Sequence, residues 1–327
     1  VSYMNSYERF WLPLRKYNKK GKQLWFRLHP SLNPTGSDTL RWSSSNPNEQ
    51  NISKKKGFNL RRCFGPAPRR EWWSNDCKNI ELRIPAFECN EEEMVNLFLR
   101  PSEPPFYGSN HLLVFSILHP KLWAKHGAEC KNIFASTWYQ WTKNGNFAVQ
   151  YGAMESSGTA DAAYHVEGGQ KVIQGRFTKI ANLNKTLISY AENHGYVETL
   201  PDITADPKRG YPLLVARTEY GKVLPTTPLN YHVQGTACWV MGRMMVEVHN
   251  YLQELNEHSR EKYYIIAQIH DEMLFDFPFR ESQGNLPIIM DVKDIMDSVG
   301  NDLVPAIPLP VGIEYHPKTW AESITVI

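Results

Sequence analysis

Two short apolar runs face each other across a polar tip at 263–277, YYIIAQIHDEMLFDF. β-Branched and aromatic residues dominate both runs, and the tip carries His270, Asp271 and Glu272. That pattern predicts a β-hairpin holding two carboxylates at its turn. Taken alone it fits an ordinary hairpin with a solvated acidic turn equally well. A second segment, 71–75, with Trp72 and Trp73, predicts a short buried strand ending at Asp76, and 80–87 reads as helix despite Pro85. Residues 106–194 predict a mostly helical block with aromatic and basic faces. Turns and short strands are expected at 195–200 and 213–224. Over 229–255, Val233, Ala237, Val240, Met241, Met244, Met245 and Val248 recur at near-helical spacing, which predicts a strong helix. A last helix is expected near 288–303, then a strand near 309–314. The first 70 residues are rich in Asn, Ser, Pro and basic residues and look mostly irregular, with short strands such as 23–28. There is no internal repeat. The pattern is a β core interrupted by a helical insertion, hence α+β.

Composition narrows the class. The chain has 327 residues, 42% hydrophobic and 21% charged, which suits a globular protein of two lobes or one large domain with an insertion. No run approaches the ~20 apolar residues of a membrane span, and no signal-peptide pattern is visible. The first residue is Val1 rather than Met, so a fragment or processed product with further upstream domains is expected. Five scattered cysteines without CxxC spacing argue against a zinc ribbon and a disulfide framework, and for a reducing intracellular compartment.

Net charge is only +2, but it is uneven. Lys54, Lys55, Lys56, Arg61, Arg62, Arg69 and Arg70 lie close to Phe58, Phe64, Trp72 and Trp73. Interleaved cations and rings suit a nucleic-acid backbone and its bases, although a solvated basic loop would look the same.

The chemistry turns on a partner for the hairpin. Asp76, in SNDCKNIELR, ends a strand just as Asp271 does. Two such strands side by side would bring the aspartates together. Paired aspartates at adjacent strand ends can hold two Mg²⁺ ions ~3.5–4 Å apart for in-line phosphoryl transfer, and Mg²⁺ favours few carboxylates plus substrate phosphates. In 139–152, YQWTKNGNFAVQYG, Lys143, Phe147 and Tyr151 share one helical face. A cation followed by two rings could bind a triphosphate and stack on a base, or be a core stripe with a snorkelling lysine.

Together these segments resemble the three signature motifs of family A DNA polymerases, the bacterial DNA polymerase I and phage replicase family. SNDCKNIELR resembles the first motif, D-Y-S-Q-I-E-L-R. KNGNFAVQYG carries the K-x3-F-x3-Y-G of the second. IHDEMLF resembles the third. RWSSSNPNEQNI at 41–52, GYVETL at 195–200 and NYHVQGTA at 230–237 resemble further family segments, in the same order, so the resemblance spans roughly 35–320.

The resemblance implies a right-hand polymerase fold. Residues 1–34 would enter the palm, 35–105 form its first part, 106–200 the helical fingers, and 201–327 its second part with the hairpin. The thumb and a proofreading exonuclease would lie outside this chain. It implies Asp76, Asp271 and the backbone carbonyl of Cys77 as ligands of two Mg²⁺ ions, with Mn²⁺ as a substitute, and Glu272 as accessory acid. Glu81 would be the steric gate against a ribose 2′-OH. Lys143 would grip the triphosphate, Phe147 would pack on the sugar, and Tyr151 would stack near the templating base. His111 would contact the pyrophosphate portion, with Gln50 and Lys55 as looser nucleotide-binding transfers. Arg41, Asn230, Gln234 and His270 would contact primer–template. The implied activity is template-directed extension of a primer by deoxynucleotides, releasing pyrophosphate. Primer–template DNA and dNTPs are the partners, with replisome proteins or a separate thumb and exonuclease portion as further ones, and no membrane. The family's distribution implies a bacterial or phage origin and a cytoplasmic setting.

Three departures stand out. Tyr139 occupies the position where the family has an arginine for the γ-phosphate, and a phenol supplies neither guanidinium charge nor a bidentate fork. Ser109 replaces the aspartate of the family's D-x-H, and Cys77 and Lys78 replace Tyr and Ser in the first motif. Two other readings remain: a non-catalytic, polymerase-derived subunit that binds primer–template, and a single-subunit RNA polymerase, against which Glu81 and Phe147 argue.

Overall fold

The computed structural model describes residues 12–13, 26–34, 36–52, 59–150, 159–202 and 207–326. It divides into two compact units. One comprises Val1–Lys78, Cys238–Gly300 and Leu309–Ile327, and the other comprises Asn79–Ala237 and Asn301–Pro308. These units do not follow the expected palm and fingers limits, because 79–105 and 201–237 group with the helices.

The first unit is built on an antiparallel sheet. Its early strands are short: β1 (Leu12–Pro13) pairs with β2 (Phe26–Arg27), and β3 (Ser31–Asn33) with β4 (Ser43–Ser45). The main strands are β5 (Arg70–Cys77), β8 (Tyr264–Ile269), β9 (Glu272–Pro278), β10 (Val311–His316) and β11 (Ile324–Thr325), with β6 and β7 lying in the other unit. They order as β11-β10-β5-β9-β8. The expected hairpin is β8–β9, and the expected first strand, β5, lies against β9.

Period-two alternation explains the burial. Trp73, Asn75 and Cys77 share one face with Phe275, Met273 and Ile313, their register partners or neighbours, and none is more than 1% exposed. Each such large apolar side chain contributes about 1.5–3 kcal/mol by leaving water. The Cys77 thiol lies 3.7 Å from Met244 Sδ. On the other face Leu274 packs with Ile52, Leu60, Ile269 and Trp320.

The second unit is mainly helical. It holds α1 (Ile80–Glu88), α2 (Glu92–Leu99), α3 (Asn110–Leu118), α4 (Pro120–His126), α5 (Cys130–Ile133), α6 (Trp138–Gln150), α7 (Thr159–Tyr164), α8 (Gly169–Arg176) and α9 (Thr178–His194). A two-stranded ribbon of β6 (Tyr196–Glu198) and β7 (Pro212–Leu214) follows. Ser109 caps α3 by accepting from Leu112 N–H, and Gly195, at φ 85, closes α9 in the left-handed conformation. The helix expected at 229–255 is α10 (Thr227–His258), which belongs to the first unit from Cys238 onward, as does the last helix, α11 (Leu286–Leu303), up to Gly300. Along α10, Val233, Ala237, Val240, Met241, Met244 and Val248 are buried, as their spacing requires. No described helix is long and apolar enough to cross a membrane.

Candidate active site

In the sheet unit, the ladder sets the acids. Asp76 pairs directly with Glu272 across β5 and β9, and one step further Cys77 N–H donates to the Asp271 carbonyl at 3.0 Å. Asp76 and Asp271 thus end up as neighbours at the ends of adjacent strands. Asp76 is exposed and Asp271 half-buried. Burial lifts the Asp271 carboxyl from 3.8 to about 6; Arg41 pulls it back down and the charge of Asp76 pushes it further up. Arg41, expected against primer–template, therefore already acts on this acid.

Glu272 differs from expectation. It is the first residue of β9 rather than part of the tip, because the ladder with Asp76 runs to the last residue before the turn. The turn itself is His270–Asp271, with exposed His270 at φ 56. Glu272 is 9% exposed and meets Arg61 Nη1 at 3.5 Å. The Arg61 guanidinium lies 3.7 Å over the Trp320 ring. Arg61, one of the cations of the basic window, is buried in this ion pair rather than exposed to a nucleic acid. Arg70 bonds Asp276 at 3.0 Å, the Trp72 indole donates to the same carboxylate, and Trp73 is fully buried. Of the described patch only Arg62 and Arg69 are exposed cations. Lys54, Lys55, Lys56 and Phe58 lie outside the described residues.

Gln50 Nε2 donates to the Gln268 carbonyl at 3.3 Å, which ties the segment before the basic window to the hairpin. Beside it, burial raises the Glu49 carboxyl to about 7, a perturbation that no pattern in the sequence announced.

Among the described residues no three His, Cys, Asp or Glu side chains converge as a metal cage. Two aspartates and a strand-end carbonyl match a hard cation that keeps water and takes substrate oxygens for the rest of its shell. Burial raises Asp271 by disfavouring its charged form, and a bound cation would offset that cost, so the donor set fits one.

In the helical unit, Glu81 is buried on α1 at 7% exposure. Two residues on, Arg83 Nη1 donates to the Pro308 carbonyl at 3.1 Å and its guanidinium lies 4.7 Å over Phe98. Burial lowers the Arg83 pKa to about 10. The helix carrying Glu81 is thereby anchored by its neighbouring cation.

His111 on α3 faces Phe147 on α6 edge-on, with ring centroids 5.5 Å apart. Burial and the nearby charge of Lys143 bring the His111 pKa down to about 4. His111, Lys143 and Phe147 are thus gathered in one place. Burial pushes the Tyr139 phenol up, against a smaller downward pull from Ser109, so these two departures from the family pattern lie near each other. Gln234 is buried, and Asn230 keeps Oδ1 buried without a partner among the described residues. Tyr151 lies outside the described residues. Asn146 and Tyr164, which complete the surroundings of His111, were not singled out from the sequence; the N-F of KNGNF was the available signal for Asn146.

The family described as DNA polymerase family A matches residues 10–322. A DNA polymerase I of Chloroflexus aurantiacus is 26% identical over 90% of this chain and 29% of its own length. A thermostable DNA polymerase I of Thermus aquaticus is 27% identical over 88% of this chain and 32% of its own length. The chain spans about a third of the length of such relatives. Among solved structures, the POL domain of Pol1 from M. smegmatis, in complex with DNA primer-template and dNTP, superposes with a TM-score of 0.70. That match has 20% identity and covers 93% of this chain and 49% of that one, a likeness of fold.

Proposed function

Because the chain belongs to DNA polymerase family A, we propose that it carries out template-directed DNA synthesis, adding deoxynucleotides to a primer 3′ end and releasing pyrophosphate. The observation that carries this reading is the junction of β5 and β9, where Asp76 and Asp271 end adjacent strands and burial, with a smaller push from the charge of Asp76, raises the Asp271 carboxyl. Asp76, Asp271 and the Cys77 carbonyl would hold two Mg²⁺ ions, for which Mn²⁺ could stand in. Such ions, when bound, activate the attacking oxygen and neutralise the leaving pyrophosphate.

The protein groups do the remaining work. Glu272, held by Arg61, keeps a second layer of negative charge behind Asp76. Lys143 supplies a point cation to the triphosphate. Phe147 packs on the sugar, and Glu81, fixed on its anchored helix, fills the room a 2′-OH needs. His111 meets the pyrophosphate portion, with Gln50 and Lys55 as looser contacts, while Tyr151 stacks near the templating base. Arg41, Asn230, Gln234 and His270 contact primer–template, where minor-groove acceptors recur for every correct pair.

Primer extension with dNTPs and Mg²⁺ tests the proposal. The parent protein should extend and Asp271→Ala should not; equal extension by both would refute the acid assignment. Ribonucleotides used as well as deoxynucleotides would remove Glu81 from its role. Tyr139 favours one competing reading, a non-catalytic primer–template-binding subunit. Tight binding of primer–template without extension under any divalent ion would select it.

A further inference from the structure

His111 is held by a buried chain of two hydrogen bonds. Asn146 Nδ2 donates to His111 Nδ1 at 2.9 Å, and the Tyr164 hydroxyl donates to Asn146 Oδ1 at 3.1 Å. The three side chains are 8%, 5% and 0% exposed. The amide could be turned the other way, offering Oδ1 to a protonated Nδ1 and Nδ2 to the phenol oxygen. The phenol excludes that arrangement. Among the described residues Asn146 is the only hydrogen-bond partner of the Tyr164 hydroxyl. Reversal would leave a fully buried O–H without an acceptor, at its full desolvation cost. The amide oxygen must therefore face Tyr164, the amide N–H must face His111, and Nδ1 must accept. A neutral imidazole whose Nδ1 accepts carries its proton on Nε2.

Two further features hold this arrangement. A Cβ on Gly145 would stand 2.0 Å from Tyr164 Cδ1, so the tyrosine ring lies directly on the α6 backbone next to Asn146. Burial and Lys143 keep the imidazole uncharged down to about pH 4. Lys143 already supplies charge beside it, and a second full positive charge in the same buried place is disfavoured.

We propose that Tyr164 and Asn146 are positioning residues that lock His111 as its Nε2–H tautomer, so that it offers an uncharged donor to a pyrophosphate oxygen of the incoming nucleotide. The tautomer lock stands on the geometry alone; the phosphate contact rests on the function proposed above. An uncharged donor adds direction to the grip of Lys143 without adding charge that would retain the released pyrophosphate.

The test is ¹⁵N NMR of the full chain labelled at histidine, with the His111 signals identified by their loss in His111→Gln. In the parent protein Nε2 should be protonated and Nδ1 bare from pH 8 to pH 5. Asn146→Asp presents a carboxylate that can only accept, so the proton should move to Nδ1. Tyr164→Phe frees the amide to turn, so a mixture of tautomers should appear. The KM for dNTP should rise roughly tenfold in Asn146→Asp, and less in Tyr164→Phe, with kcat less affected. A parent spectrum with Nδ1 protonated overturns the lock. So does a tautomer that neither variant moves. If Asn146→Asp does not fold, the parent spectrum and Tyr164→Phe, which loses one oxygen, still decide. A tautomer that shifts while KM does not upholds the lock and overturns the phosphate contact of His111.

Discussion

Asp271 in the sheet unit and His111 in the helical unit are both driven toward their neutral forms by burial, yet their neighbours treat them differently. Around Asp271 the nearest acid adds to the strain and Arg41 only partly offsets it. Around His111 every buried polar atom of the chain from Tyr164 has its partner. One region stores an electrostatic cost that a cation can relieve. The other closes its own short hydrogen-bond chain before any ligand arrives and offers a directed donor beside the charge of Lys143.

The sharpest way to break the comparison is Asp271→Asn. Primer extension should fall by roughly a thousand-fold or more, since a ligand and a charge leave together. The fold should gain stability. The carboxyl is raised from 3.8 to about 6, so its contribution is fully present below pH 3.8 and is lost as pH rises through 6. At pH 8 the ionised group should cost on the order of 2–3 kcal/mol. Urea unfolding without divalent ions should show stability declining between pH 4 and 7 in the parent, and a flatter profile in the variant. Mg²⁺ should restore stability to the parent alone. A variant no more stable than its parent at pH 8 would end the claim that this region is strained.

Next in size is Arg61→Met. Breaking a buried pair leaves Glu272 uncompensated, at a cost of about 3 kcal/mol. Because the residues are in contact, Arg61→Met with Glu272→Leu should recover much of that loss in the same urea experiment. Equal losses in single and double variants would mean that Arg61 matters through Trp320 and packing, not through the acid.

Arg61 also marks where sequence reading stopped. The β8–β9 hairpin, β5 and α10 were legible because their signals are local: alternation over a strand, a stripe along a helix. The meeting of Asp76 with Asp271 was legible because strand ends are. Arg61 and Arg70 use the same letters as the exposed cations around them, and only the tertiary packing brings Glu272 to Arg61 and Asp276 to Arg70. Glu272 moved from tip to strand for the same reason. Asn146 and Tyr164 lie on separate helices, α6 and α7, and neither is unusual for its element. The grouping of 79–105 and 201–237 with the helices likewise depends on contacts far apart in sequence.

In the helical unit the corresponding disturbance is Gly145→Ala. The added methyl meets a ring that is fully buried and cannot swing away. Overpacking of that kind costs about 1–3 kcal/mol. Because Tyr164 is displaced from Asn146, the His111 tautomer should become mixed along with the loss of stability. A lowered melting temperature with an unchanged histidine spectrum would separate packing from positioning in this region.

The smallest effect is expected at Tyr139, where the satisfied region departs from its family. Its phenol lies near Ser109 and its ring centroid is 6.3 Å from that of Phe115. Tyr139→Arg gives up those neutral contacts, at roughly 1 kcal/mol or less for a half-buried side chain. It returns a planar cation that can meet a phosphate with two N–H groups, so the KM for dNTP should fall a few-fold. Lys131 distinguishes two ways the parent could manage without that cation. It is exposed on α5 with no ion-pair partner among the described residues. If it substitutes for the missing guanidinium, Lys131→Ala should raise KM in the parent and leave it unchanged beside Tyr139→Arg. If both backgrounds respond alike, the helical unit manages with Lys143 and the neutral donors alone, and its contrast with the acid site widens.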